Sequence, residues 1–507
     1  MTSGGQGLEF VLNGEQVGVP DRGSTLLEVL REDLGIRSVK DGCSPQGQCG
    51  CCTVLVDGQP RVACVTPARR VGNRSVQTVE GIEGSGRWAE AFAAVGASQC
   101  GFCTPGIITR LAGRTARSGP LSPEAVRDAM KAHLCRCTGW QTVVEAAVDW
   151  PAAPARDEQS ASQRATLEGG SHQAVGSHVA LGAAGFADDA APAGSLVAVI
   201  GADGEPVVAE TLTEARALAQ KVQGRRTTEQ TGPPLALPEG QFDLTLQTPW
   251  VDPGYLETDA SWCEPGGVPA TPLANGGAFG GKAASPVTRL ARELADRHGK
   301  AVRVLFSRED TVRLGPKRPP IAAGINADGS GVMRIVRTEG VAEAIESVAP
   351  GLEVIEETVA GPLTSAAIRG AGWVEALVLL AGATGAPVRS PNSAEASAEF
   401  DGQTIRVQVS CGAPLDPVVL RSYCIGAAHM AYSWVVSESL SVSTDGVVLD
   451  LTVRSLGITR AVDTPAIEVH LVASDDEPVN GSDAVFAAVA AEVWRYYGYL
   501  ATWPVMG

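Results

Sequence analysis

The sequence predicts a multidomain α+β protein. Three observations carry that expectation. Its 507 residues are too many for one hydrophobic core at ordinary domain sizes. The chain opens with strands around a single helix, then changes to Ala-rich helical periodicity. The long remainder mixes both patterns. With 44% hydrophobic and 19% charged residues, the composition is that of a folded, soluble chain.

Residues 8–19, "LEFVLNGEQVGV", read as two strands about Asn13-Gly14, the favoured type I′ pair. "STLLEVLREDLG" follows as a helix, with Thr25 and Glu28 spaced as a capping box and Gly35 as its stop. A cysteine loop, "DGCSPQGQCGCCTV", leads into a second hairpin about Asp57-Gly58. These elements predict a small β-grasp domain over residues 1–80, with the loop at its edge. "RWAEAFAAVGAS", "TPGIITRLAGRTA", "SPEAVRDAMKAHL" and "GWQTVVEAAVDW" have helical spacing, and Ser122 before Pro123 suits an N-cap and first-turn pair. A four-helix domain is therefore expected over 81–150, with cysteines at its helix ends.

Residues 151–171 hold Pro, Ala, Ser and charge without periodicity and read as a linker. A small α/β domain is expected over 172–240 and a larger one over 241–507. "ETLTEARALAQKV" and "SPVTRLARELADRHG" predict helices, "AVRVLF" a buried strand, and "SLSVSTDGVVLDLTV" a hairpin.

The formal charge of −17 argues against nucleic acid as a partner, because such binding needs Lys and Arg to replace phosphate counterions. No apolar run approaches the roughly 20 residues of a membrane span, and "MTSGGQGLEF" lacks the features of a signal peptide. A cytoplasmic location is expected. In that reducing compartment, twelve cysteines point to metal or redox chemistry rather than to disulfides.

A [2Fe–2S] site of the plant type takes three thiolates from one loop and a fourth from further along. Cys43, Cys49, Cys52 and Cys64 fit that demand, with Cys51 left over. Cys100 and Cys103 form a second C-x2-C pair, and Cys135 and Cys137 a C-x-C pair. On spacing alone this second set suits a structural zinc ion as well as an iron–sulfur cluster.

"DGCSPQGQCGCCTVLVDG", "VAC", "QCGFCTPG" and "LCRCTGW", in that order, resemble the iron–sulfur domains of the xanthine dehydrogenase and aldehyde oxidase family of molybdenum hydroxylases. The resemblance spans residues 8–150. It implies a ferredoxin-like β-grasp domain whose [2Fe–2S] cluster is held by Cys43, Cys49, Cys52 and Cys64. It also implies a second [2Fe–2S] cluster on Cys100, Cys103, Cys135 and Cys137 in the helical domain. The family pattern is C-x4-C-x2-C, whereas Cys43 and Cys49 are separated by one residue more: either the loop bulges, the favoured reading, or the C-x2-C is displaced and Cys51 has a role.

In the larger half, Gly276 to Lys282 of "NGGAFGGKA" satisfies a phosphate-loop pattern. Ala283 stands where that loop needs Ser or Thr, and no buried strand precedes it. A plain glycine turn is the other residue-level reading. The stretch also resembles the family's G-G-x-F-G-G-K signature, which implies molybdenum–pyranopterin contact by Gly276, Gly277, Phe279, Gly280 and Gly281. "TSAAIRGAGWVEA" resembles the family's R-G-x-G element, with Arg369 and Gly370 in the matching positions; "GYLE" and "SYCIGAAHMAYSWVVSE" resemble two further elements. This half is much shorter than in typical members. In "VNGSDAVFAAVAAEVW", Ser482 follows Gly481 where the family places a catalytic glutamate. Asp483, one residue on, is the candidate replacement base; its other reading is an acidic residue favoured by the dipole of the following helix.

The resemblance implies an enzyme: an oxidoreductase that hydroxylates a small-molecule purine, aldehyde or N-heterocycle with oxygen from water. Electrons would leave through both clusters to an external acceptor such as a flavoprotein subunit, since residues 151–172 leave no room for a flavin domain. The alternative is an electron-transfer or assembly protein with a degenerate molybdopterin half, which Ala283 and Ser482 favour.

Overall fold

The computed structural model describes residues 7–149, 156–221, 224–229, 231–472 and 474–506. Strands β1 (Gly7–Leu12) and β2 (Glu15–Pro20) pair antiparallel about Asn13 and Gly14, whose φ values of 53° and 94° are the two positive angles a type I′ turn needs. Thr25 caps α1 (Leu26–Glu28) in a reciprocal box with Glu28, and a π turn over Val29–Asp33 continues it. With β3 (Thr53–Val56), β4 (Gln59–Val62) and β5 (Ser75–Gln77), the sheet runs β2-β1-β5-β3-β4. The cysteine loop ends at the first residue of β3.

Helices α2 (Ser85–Ala94), α3 (Thr104–Ser118), α4 (Pro123–Ala129) and α5 (Gln141–Asp149) follow. Ser122 Oγ accepts from Ala125 N, closing the first turn of α4. One core joins sheet and helices, with Phe10, Leu30, Val54, Ile108 and Trp140 packed alongside Cys43, Cys51, Cys103 and Cys135. Both cysteine groups therefore lie inside a single packed unit.

Most of the expected linker is helix. Residues 151–155 lie outside the described residues, but α6 (Glu158–Gly169) starts on Asp157, whose carboxylate accepts from Gln159 N and Ser160 N, and ends before Gly170 at φ 68°. Its buried face is Ala161, Arg164, Ala165 and Glu168. The period is helical, but a charged pair fills two of the four positions, so no apolar stripe marks it.

After the short α7 (Ser177–Ala180) comes β6 (Leu196–Ile200), buried along its whole length, then β7 (Pro206–Ala209) and α8 (Leu212–Ala219). The expected 172–240 unit does not close on itself. Its sheet, β7-β6-β10-β9, draws β9 (Ala260–Cys263) and β10 (Val302–Leu305) from further along the chain, because a fully buried strand needs partners on both edges and cover on both faces. The helix α9 (Val287–His298) covers one face. A third sheet, β13-β12-β11-β8, is built from β8 (Leu244–Gln247), β11 (Ile321–Ile325), β12 (Gly331–Val336) and β13 (Leu352–Glu357), with α10 (Arg308–Leu314) preceding β11.

The fourth sheet, β14-β15-β16-β17, comprises β14 (Val388–Arg389), β15 (Glu395–Phe400), β16 (Thr404–Ser410) and β17 (Ala466–Val472). Helices α11 (Val341–Glu346), α12 (Trp373–Thr384), α13 (Pro417–Val436) and α14 (Ser482–Tyr496) pack into one core with it and with the third sheet. The expected hairpin over 439–453 is reduced to a single bridge, Val442 to Val448, around a turn at Gly446. Its alternating residues pack against Trp250 and Leu235 rather than against a partner strand. Among the described residues, no helix is long and apolar enough to cross a membrane.

Candidate functional site

The loop before β3 gathers five buried thiols. Cys43 is hydrogen-bonded to Cys49 and Cys64, Cys52 to Cys64, and Cys51 to Cys49. The extra loop residue is absorbed by a bulge in which Ser44 and Gly47 take φ values of 41° and 71°. The bulge turns two amides inward: Gln46 N and Gln48 N lie 3.2 and 3.4 Å from Cys43 Sγ and donate to it. Bonds from the Cys49 and Cys64 thiols, joined by such amides, hold Cys43 well below the usual thiol range.

The second group forms at the ends of α3 and α5. Cys100 Sγ and Cys137 Sγ are 3.8 Å apart, and Cys103 is hydrogen-bonded to Cys135. Cys135 Sγ also lies 3.1 Å from Thr138 Oγ1, and the Cys103 bond lowers its pKa to about 6. Among the described residues, no three His, Cys, Asp or Glu side chains converge as a single metal ion requires. In this second group the sulfurs stand in two pairs, which suits two irons with two thiolates each. The groups are bonded to each other: Leu134 N, next to Cys135, donates to Cys49 O at 3.0 Å.

Beside the second group lies a small cavity of about 60 Å³. Cys100, Cys103 and Cys137 form one wall, and Asn275 to Phe279 the other. Gln99, Gln173, Tyr423 and Glu257 add polar groups. The phosphate-loop reading fails here, because Lys282 is buried and bonded to Glu257 Oε2 at 2.6 Å and to Pro272 O at 3.2 Å. Burial pushes the Glu257 carboxyl up, against the pull of Lys282.

The glycines divide. Gly276 and Gly277 line the cavity with Phe279. At Gly280, with φ 85°, a Cβ would meet Ala367 O at 1.8 Å, and at Gly281 it would meet the Tyr255 ring at 2.5 Å. Gly370, at φ 64°, is closed off by Trp373 at 2.6 Å. None of these three lines the cavity. Their missing side chains let the glycine turn pack against the segment carrying Arg369.

Arg369 N donates to Phe279 O at 3.1 Å, and its guanidinium lies 5.5 Å from the centre of the Phe279 ring. Arg369 Nε donates to Asp483 Oδ1 at 2.8 Å and Nη2 to Ser482 Oγ at 2.7 Å. Asp483 thus sits in the first turn of α14, tied to an arginine and outside the cavity lining. Its Oδ1 is taken by Arg369, and the first-turn position also suits the helix dipole. The carboxylate that caps the start of α14 comes from the segment read as a linker. Glu168 accepts from Gly481 N and Ser482 N at 3.1 and 2.9 Å and pairs with Arg164. Nothing in the local sequence signals this contact, which spans more than 300 residues.

The two halves are bolted together near the second cysteine group. Arg136, between Cys135 and Cys137, forms a buried two-pronged bond with Glu438, with Nη2 to Oε2 at 2.8 Å. A Cβ at Gly426 of α13 would lie 1.8 Å from Cys137 O.

The fold and these cysteine groups define an iron–sulfur protein. Residues 10–69 match the family model described as "2Fe-2S iron-sulfur cluster binding domain", and residues 78–148 match the "[2Fe-2S] binding domain". The xanthine dehydrogenase iron-sulfur-binding subunit of Escherichia coli O157:H7 is 42% identical over 132 residues, which are 25% of this chain and 82% of that subunit. The aldehyde oxidoreductase of Megalodesulfovibrio gigas is 41% identical over 147 residues, 28% of this chain but only 16% of that protein's length. A solved aldehyde oxidoreductase from Desulfovibrio gigas superimposes with a TM-score of 0.70, covering 96% of this chain and 97% of that one; at 14% identity this is a likeness of fold. The chain belongs to the xanthine dehydrogenase and aldehyde oxidase family of molybdenum hydroxylases.

Proposed function

We propose that the chain is an oxidoreductase that hydroxylates a purine, an aldehyde or an N-heterocycle. The overall change is R–H + H2O → R–OH + 2 H⁺ + 2 e⁻. In this reading Cys43 with Cys49 and Cys52 with Cys64 hold one [2Fe–2S] cluster, and Cys100 with Cys137 and Cys103 with Cys135 hold the other. The observation that carries the reading is the shared cavity: the helical cysteine group and the glycine turn form its facing walls. A pyranopterin held here would find polar contacts in Gln99, Gln173 and Asn275 and backbone in Gly276. Bound molybdenum would supply the two-electron chemistry.

The protein's own groups do the rest. Arg369 steadies Phe279 at the cavity edge, and Asp483 holds Arg369 in place. Glu257, at the cavity wall, pairs with buried Lys282 and sets the charge there. The backbone bond from Leu134 to Cys49 links the two cysteine groups, and clusters bound there would supply a one-electron route towards an external carrier.

Elemental analysis with EPR of the reduced, anaerobically purified protein tests this. About four irons and one molybdenum per chain, with two [2Fe–2S] signals, support it. Iron without molybdenum supports instead an electron-transfer or assembly protein, the reading favoured by Ser482 at the start of α14.

A further inference from the structure

Five thiols crowd a site for which a [2Fe–2S] cluster has use for four. Their contacts run in one chain: Cys51 to Cys49, Cys49 to Cys43, Cys43 to Cys64, Cys64 to Cys52. Cys51 is 1% exposed, as buried as Cys43, Cys49 and Cys52. Gly50, at φ 76°, turns the chain so that the side chains on either side of it converge. From the point where a Cβ on Gly42 would stand, Cys49 Sγ is 3.1 Å away and Cys51 Sγ 3.2 Å. The two sulfurs share the space that Gly42 leaves open. Gly106 holds the Cys51 peptide from behind, since a Cβ there would meet Cys51 O at 2.8 Å. Cys52, the next residue, turns away from Cys51 and bonds with Cys64.

We propose that Cys51 is a substitute ligand for Cys49, able to take over its iron without rearrangement of the loop. The inference rests on the iron–sulfur reading above. The exchange is redox-neutral: the iron–sulfur bond to Cys49 breaks, one to Cys51 forms, and the Cys51 thiol proton passes to Cys49. The hydrogen bond of Cys51 goes to Cys49, whereas Cys43, Cys52 and Cys64 bond with one another and Cys43 with Cys49.

The test uses the full-length protein purified anaerobically, read by iron content and EPR. Cys51→Ala should keep about four irons per chain and both signals. Cys49→Ala should keep them too, with the g values of one signal shifted. Cys49→Ala/Cys51→Ala should fall to about two irons and one signal, as should Cys52→Ala alone. Cys49→Ser, alone and with Cys51→Ala, is run in parallel and should give the same pattern. If Cys49→Ala and Cys49→Ser each lose the cluster or fail to fold while Cys51→Ala keeps it, the proposal is wrong and the iron–sulfur reading stands. If the parent protein carries no iron–sulfur cluster, both fall together.

Discussion

Exchange of one hydrogen for a methyl group at Gly426 tests whether the cysteine domains and the larger half pack as described. Gly426 lies inside α13, where alanine is ordinarily the better residue by about 1 kcal/mol. Here the added carbon would stand 1.8 Å from Cys137 O, a separation at which one of the two backbones must move by more than an ångström. Because the obstacle is a carbonyl and not a mobile side-chain tip, the strain falls at the upper end of overpacking, about 3 kcal/mol. The same movement breaks the 2.9 Å bond from Gln99 Nε2 to Cys137 O, worth about 1 kcal/mol. Set against the helical gain, the net loss is about 3 kcal/mol. Gly86 in α2 is the control, since a Cβ there meets nothing within 4 Å and the residue is exposed. Gly86→Ala should stabilise by up to about 1 kcal/mol. Urea unfolding of both variants and the parent, followed by circular dichroism, reads the difference. A Gly426→Ala protein as stable as its parent would refute the close approach of α13 to Cys137, and with it the docking of the two halves.

Two further outcomes follow from buried charge. Glu438→Gln strips the counter-charge from Arg136, whose side chain is 4% exposed, and should cost about 3–5 kcal/mol by thermal unfolding. Arg136→Met/Glu438→Gln should recover much of that loss, and failure to do so would show that the pair matters for more than charge balance. His429, fully buried in α13, has its pKa lowered to about 3, first by burial and then by the nearby Arg136. Its neutral ring stabilises the fold fully above the unfolded value near 6.5. That contribution is lost as the pH falls towards 3, because the unfolded chain takes up the proton first. Stability should drop by about 2 kcal/mol between pH 7 and pH 5 from this residue alone. His429→Gln should flatten the profile over that range, as measured by denaturant midpoints at each pH.

Local chemistry made much of the first 150 residues legible. Asn13-Gly14 and Asp57-Gly58 announce their turns through positive φ, Thr25 and Glu28 announce a capping box, and Ser122-Pro123 announces the start of α4. Each signal is complete within a few residues. The cysteine spacings belong to the same kind, since a cluster fixes how far apart its ligands can stand in a loop.

What the sequence determined alone is therefore the chemistry that neighbours along the chain impose on one another: turns, caps, and the pairing of Cys100 with Cys103 and of Cys135 with Cys137 as motifs. Tertiary structure decided the rest. Only folding sets Cys100 against Cys137 and Cys103 against Cys135. Only folding brings Glu168 to the start of α14 and turns Asp483 onto Arg369. Side chains hundreds of residues apart carry no mark of each other in sequence, because the energy that joins them comes from burial, which exists only once the core has closed.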